Sequence, residues 1–415
     1  MVTNAQAASL AEKIPAHSWY ALGVLTLVYV LNFLDRVLIY MLFTPIKAEM
    51  KFSDLQLALL GTTSFVIFYT LLGIPFGRLA DRVSRKMLIA GGLAVWSLFS
   101  GLTGFADSFW TLFACRVMVG VGEATLGPAA LSLLSDYFPP RLRATVQSIY
   151  SSGIAVGGGL AFFLGGQIAA TPGWGWRWAF YVLGFPGLAV CLFVLSLKEP
   201  RRGQTETARV AYSREDWKVL FKSSPLRHLY LGYALFGLAA NSLSIWGPSF
   251  FNRVHGLDLR LIGNLAGLLS VAAGVPGTIL GGWAADRLRR RSRGGRMLFT
   301  AIGALCSIPL WLGLLFSDSA ALLLFANFVL LGVSLMWLGP AAADVHDVAG
   351  PQLRGLGIGI YFFTVNVAAY GVGAPLIGKL NDWLGVAADA SMMRYSLLVC
   401  PLACLLSAML LWRGS

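Results

Sequence analysis

The chain has 415 residues, of which 57% are hydrophobic and only 12% charged, with a mean hydropathy of +0.71. A soluble globular protein carries roughly twice that share of charge, so a cytosolic enzyme is excluded as the starting assumption. The net charge of +13 would suggest nucleic acid in a soluble domain, but most Lys and Arg residues lie in connections between apolar runs, where they set membrane orientation and imply no nucleic-acid partner.

A membrane-spanning helix needs about 20 apolar residues, and with a short connection each span uses roughly 35, which divides this chain into about twelve. Apolar runs fall near 19–43, 55–80, 87–106, 109–135, 142–170 and 176–197. A polar stretch, 198–224, follows with Arg201, Arg202, Arg214, Lys218 and Lys222. Six more runs come near 227–251, 260–285, 296–316, 320–345, 354–380 and 392–412. The expected fold is all-α: a polytopic membrane protein of twelve transmembrane helices in two six-helix halves. The N-terminal six-helix bundle is expected over 1–197, a cytoplasmic linker over 198–224 and the C-terminal six-helix bundle over 225–415.

With an even number of spans both termini share a side, and that side collects about 23 Lys and Arg against about seven on the other. The expectation is a multi-pass protein of the plasma (inner) membrane with both termini cytoplasmic. The polar start, through Lys13 and His17, runs into a first span too long for a signal peptide. Cys115, Cys191, Cys306, Cys400 and Cys404 lie in apolar runs without disulfide or metal-ligand spacing and read as packing residues.

The halves repeat one another. Leu112-Phe113-Ala114 through Leu126-Gly127-Pro128-Ala129-Ala130 aligns with Leu324-Phe325-Ala326 through Leu338-Gly339-Pro340-Ala341-Ala342, and Gly120 falls on Gly332 without a gap. Pro140, Leu142, Arg143, Ile149 and Tyr150 match Pro351, Leu353, Arg354, Ile360 and Tyr361, while Gly77, Asp81 and Arg82 match Gly282, Asp286 and Arg287. Internal repeats in a polytopic chain imply a transporter whose substrate site lies near the midplane.

Ionisable residues inside spans are the sharpest signal, because a charge at mid-membrane costs roughly 2.5–3.5 kcal/mol even on the lenient insertion scale. Asp35 and Arg36 lie within the first span, Arg116 and Glu123 within the fourth. Seven residues make nearly two helical turns, so Arg116 and Glu123 share a face, and the four groups reach similar depth as a neutral cluster. The repeat partners of Arg116 and Glu123 are Phe328 and Leu335. The architecture therefore does not require charge there. Asp35 and Glu123 are the expected proton-coupling acids, with Arg36 and Arg116 as countercharges or anchors for an anionic headgroup. No cofactor is expected, and the proton serves as coupling ion.

Substrate-binding candidates are Asn32, Arg36, Arg116 and Glu123 on the charged side, and Asn241, Trp246, Trp337, Tyr361 and Asn366 on the more apolar side. Such unlike walls suit a small amphipathic substrate. The chain is expected to act as a monomer in the bilayer and not as an enzyme, since neither Gly-x-Ser-x-Gly nor His-Glu-x-x-His occurs. His346 and Asp347 read as a solvated helix end.

The loop Gly77-Arg78-Leu79-Ala80-Asp81-Arg82-Val83-Ser84-Arg85-Lys86 resembles the G-x-x-x-D-R-x-G-R-K signature of the major facilitator superfamily, with Ser84 in place of the usual Gly. The resemblance makes Gly77, Asp81, Arg82, Arg85 and Lys86 a cytoplasmic gate, latching that side when the carrier opens outward. Asn32-Phe33-Leu34-Asp35-Arg36 and Gly120-Val121-Gly122-Glu123-Ala124, with this loop, resemble the spinster branch. That resemblance implies a proton-coupled carrier of lysophospholipid or sphingoid-type lipids. The alternatives are a proton-coupled carrier of small organic anions or a multidrug efflux antiporter. The superfamily's antiporter signature puts a Pro in the fifth span; none lies between Ser151 and Ala170, which leaves symport and antiport open.

Overall fold

The three-dimensional structure, a computed structural model, describes residues 14–139, 142–201, 223–292 and 294–415. Most of the expected linker, with Arg202, Arg214, Lys218 and Lys222, lies outside the described residues, as does the Pro140 match of the repeat. Among the described residues twelve helices are long and apolar enough to cross a membrane. In the first half these are α1 (Ala16–Met41), α2 (Asp54–Gly73), α3 (Arg85–Thr103), α4 (Phe109–Tyr137), α5 (Thr145–Ala169) and α6 (Gly175–Leu195). The second half contains α7 (Ser224–His255), α8 (Leu259–Arg289), α9 (Gly295–Phe316), α10 (Ala320–Val345), α11 (Leu356–Trp383) and α12 (Ala390–Gly414). The helices follow from the solvent: in hydrocarbon each backbone N–H and C=O must find an internal partner, and a helix supplies one locally.

Two helices are locally widened. Leu59–Thr63 of α2 and Val367–Gly373 of α11 are π-helical turns, each inserted in an otherwise α-helical run. Such turns occur mostly as single bulges, frequently at functional sites. Helix α4 is also interrupted: its first segment ends at Glu123 and a second begins at Leu126.

The chain ends define a terminal face and an opposite, far face. One apolar core runs through the second half and, toward the far face, into the first, joining Leu38, Tyr40, Phe43 and Trp176 to Leu243, Trp246 and Phe250. The rings of Phe43 and Trp246 stand 5.5 Å apart across that boundary. Near the terminal face the first half keeps a core of its own, built on Val28, Ile89, Trp96, Leu133 and Phe138. Described hydrogen bonds between halves lie at mid-depth or toward the far face: Gln167 donates to Asn264 at 2.7 Å, and the π-turn Thr63 donates to the Tyr370 carbonyl at 3.3 Å.

The far face is sealed by charge as well as by apolar packing. The Asp382 carboxylate at the end of α11 accepts from the main-chain N–H groups of Asp54 and Leu55, at 2.8 and 2.9 Å, capping the start of α2. The fully buried Asp54 carboxylate takes both its oxygens to Arg253 of α7 at 2.8 Å and also binds Lys47. Gly378, one turn before Asp382, permits this approach: a Cβ there would lie 2.6 Å from the Asp54 carbonyl oxygen.

Candidate coupling and substrate site

The site forms where α1, α2, α3 and α4 converge. The first segment of α4 carries both Arg116 and Glu123, fully buried. Close packing against α3 fixes the helix: a Cβ at Gly122 would meet the Gly92 carbonyl oxygen at 2.7 Å and the Trp96 nitrogen at 2.8 Å. Helix α1 brings Asp35, 2% exposed, and Arg36 to the same level.

The four charged residues come together, but they are not paired as one symmetric cluster. Arg36 Nη2 donates to Glu123 Oε2 at 2.9 Å and reaches Asn32 Oδ1 at 3.5 Å. Three aromatic rings surround the guanidinium: Phe33 at 4.8 Å, Phe65 at 4.4 Å and Tyr69 at 4.8 Å from its carbon. Ring faces attract a cation, most strongly where water is excluded. Asp35 instead accepts from the Ser100 hydroxyl of α3 at 2.6 Å, and Arg116 Nη1 donates to the Asp35 main-chain carbonyl at 3.3 Å. Hydrogen-bonding capacity is left over in the buried interior. Arg116 Nε and Nη2, Arg36 Nε and Glu123 Oε1 have no partner among the described residues.

As a carboxylate Glu123 forms an ion pair with Arg36, and Asp35 accepts from Ser100 with one oxygen. A proton on either acid changes what its neighbours can bond.

The candidates of the second half fall in different surroundings. Asn241 is held by Tyr370, whose hydroxyl donates to Asn241 Oδ1 at 2.6 Å, and Asn366 is half-buried. Trp246 is buried against Phe43 at the boundary between halves. Trp337 and Tyr361, 2% and 1% exposed, pack with Tyr233 inside the second half, and the Trp337 indole donates to the Ser334 carbonyl at 2.7 Å.

The signature loop at the terminal face binds its own half in this conformation. A Cβ at Gly77 would lie 3.9 Å from Pro128 of α4, and Asp81 and Arg82 are exposed and form no ion pair among the described residues. Arg85 is buried, bridging Asp136 at 2.5 Å and Glu199 at 3.2 Å, and Lys86 donates to the Leu197 carbonyl at 2.9 Å. Ser84, the departure from the usual Gly, donates to Glu199. Partial burial pushes the Glu199 carboxyl up, but hydrogen bonds from Ser84 and from the Arg85 main chain and side chain outweigh it and hold it below the usual range. In the second half Arg296 binds Asp286 and Asp347, each at 2.8 Å. Asp347 is exposed, as a solvated position would be, and also pairs with Arg296; the His346 side chain lies outside the described residues.

Sequence reasoning passed over Ser100, Phe65, Tyr69 and the far-face group of Asp54, Arg253 and Asp382. A serine or an aromatic in an apolar helix carries no signal of its own.

Two six-helix halves, sealed on one face and enclosing a charged site at mid-depth, define a membrane carrier of the alternating-access type. The chain belongs to the Major Facilitator Superfamily, whose family model matches residues 25–374. It is 29% identical to an MFS-type efflux pump of Mycolicibacterium smegmatis, over 97% of this chain and 93% of the relative. It is also 29% identical to protein spinster homolog 1 of Mus musculus, over 92% and 78%. Among solved structures it is similar to a bacterial homolog of the human lysosomal transporter Spinster, inward-facing and occupied, with TM-score 0.85 and 25% identity over 96% of this chain and 97% of the other. The unoccupied inward-facing form gives 0.83 over 96% and 95%. The chain is thus a spinster-like transporter.

Proposed function

We propose that the protein is a proton-coupled secondary carrier of an amphipathic, lipid-like substrate of the lysophospholipid or sphingoid type, working by alternating access. The observation that carries this reading is the Arg36–Glu123 pair, buried beside Asp35 and an incompletely bonded Arg116, where the repeated positions Phe328 and Leu335 are apolar. Buried charge that the fold does not demand is retained for work. Asp35 and Glu123 take up and release the proton. Arg36 and Arg116 balance them and receive an anionic headgroup, with Asn32 beside them. Asn241, Trp246, Trp337, Tyr361 and Asn366 form the second-half wall once the halves rock and the buried Trp246, Trp337 and Tyr361 repack toward the substrate.

The excess of Lys and Arg on the terminal face supports a cytoplasmic position for that face in a plasma membrane. With that orientation the far-face seal supports an inward-facing state, in keeping with the inward-facing relatives. Gly77, Asp81, Arg82, Arg85 and Lys86 would latch the cytoplasmic side in the opposite state. The carrier works as a monomer and releases its substrate chemically unchanged.

Reconstitution into liposomes with an imposed pH gradient and a panel of labelled lysolipids tests the reading. Uptake should follow the gradient, and Asp35→Asn and Glu123→Gln should each lower gradient-driven uptake roughly 100-fold, a scale set by about 2.7 kcal/mol. Wild-type flux in both variants would defeat the proton assignment. The similarity to an efflux pump favours a second reading, extrusion of amphipathic drugs in exchange for protons. Competition by such drugs, with none by lysolipids, would select it.

A further inference from the structure

Helix α2 touches every part of the machine. Its first turn is the far-face seal, where Asp382 caps it and Asp54 binds Arg253. Five residues on comes the π-turn Leu59–Thr63. The next turns present Phe65 and Tyr69, themselves stacked at 5.2 Å, against the Arg36 guanidinium. The helix continues to Ala80, next to the signature loop.

The π-turn lies between the seal and the aromatic clamp. Thr62 and Ser64 donate back to the Ala58 and Leu60 carbonyls at 2.8 Å each, holding the wide turn in place. Thr63 donates to the Tyr370 carbonyl, which belongs to the π-turn of α11, the helix that ends in Asp382. The two irregular turns are thus joined in mid-bilayer, and both of their helices run into the same seal. A π-turn holds one residue more than an α-turn, so relaxing it would turn the rest of the helix by roughly 100°. Phe65 and Tyr69 would leave Arg36.

We propose that α2 is the lever joining the buried ion pair to the far-face seal: Phe65 and Tyr69 are positioning residues that hold Arg36 on Glu123, and the π-turn transmits the release of that clamp to Asp54 and Asp382. The inference deepens the proposed function, resting on the Arg36–Glu123 pair as the switching element. It concerns how the switch reaches the gate. The seal closes while the clamp is made and loosens when Arg36 leaves Glu123, whatever the substrate. The α11 turn follows through the Thr63–Tyr370 bond.

The test reads conformation and not transport. Spin labels are placed at Asp107→Cys and Ala387→Cys, both exposed in far-face loops, in full-length protein whose five native cysteines are replaced by alanine. Pulsed dipolar spectroscopy then gives the population with the far face open. Phe65→Leu combined with Tyr69→Leu should raise that population roughly threefold to tenfold, although neither residue touches the seal. Glu123→Gln should act in the same direction. Asp382→Asn, which weakens the cap directly, sets the scale, and Tyr69→Phe, which keeps the ring, should match the parent. A clamp variant with the parent's distance distribution, beside a shifted Asp382→Asn, overturns the lever. So does an unshifted Asp382→Asn, because the seal would then be no gate. Proton-independent flux with the expected distance shifts would sink the proton assignment and leave the lever standing.

Discussion

Arg36 shows how much one side chain can integrate. It is an ion-pair partner of Glu123, and it is packed among three rings from two helices. Replacing it with Lys would keep the charge and lose the planar fork and its stacking. Glu199 has a different role, pinning the exit of α6 to the signature loop. Its carboxyl lies below the usual range, so the ionised form is favoured in the fold. The stabilisation it gives is complete above the unfolded value of about 4.3 and is lost as pH falls through the depressed folded value. Glu199→Gln should therefore lower the melting temperature at neutral pH, with the difference from the parent closing below about pH 4. Equal melting temperatures at pH 7 would show that the loop is held by Lys86 and Asp136 alone.

At the scale of elements, the fit of α3 against α4 holds the site in register. The atoms facing Gly122 are main-chain atoms of α3 and the Cβ of Trp96, and these cannot rotate away as a flexible side-chain tip would. Gly122→Ala must push the helices apart, at a cost of about 1–3 kcal/mol. Thermal unfolding in detergent should register that loss. Because Arg116 and Glu123 flank this contact, uptake should fall with stability. Gly127, where a Cβ would meet nothing within 4 Å, should accept Ala without effect. The spans themselves were plain in the sequence, because twenty apolar residues admit few other solutions. The π-turns were not. Leu59–Thr63 and Val367–Gly373 have no marker residue, since a wide turn is settled by what the helix packs against and where its ends are tied.

For the whole molecule, the asymmetry between faces is the main result. Apolar core and ion pairs join the halves at the far face, while on the terminal face the signature residues bond within their own half. The bias of basic residues predicts that the terminal face is cytoplasmic. An alkaline phosphatase fused after Ser415 should be inactive in intact bacteria, and a fluorescent protein fused there should be bright; the reverse pair of results would invert the topology.

The sequence by itself determined the twelve spans, the relation between halves, the superfamily and the identity of the four buried charged residues, because hydropathy and the cost of charge in hydrocarbon are properties of the residues themselves. It placed Asp35, Arg36, Arg116 and Glu123 at one depth, but not which would bond which. Only the tertiary structure decided that Arg36 takes Glu123, that Asp35 takes Ser100 and that Asp54, Arg253 and Asp382 lock the far face. Those choices depend on helix rotation and on contacts between residues far apart in the chain, where a difference of an ångström or two selects the partner and spacing along the sequence carries no such information.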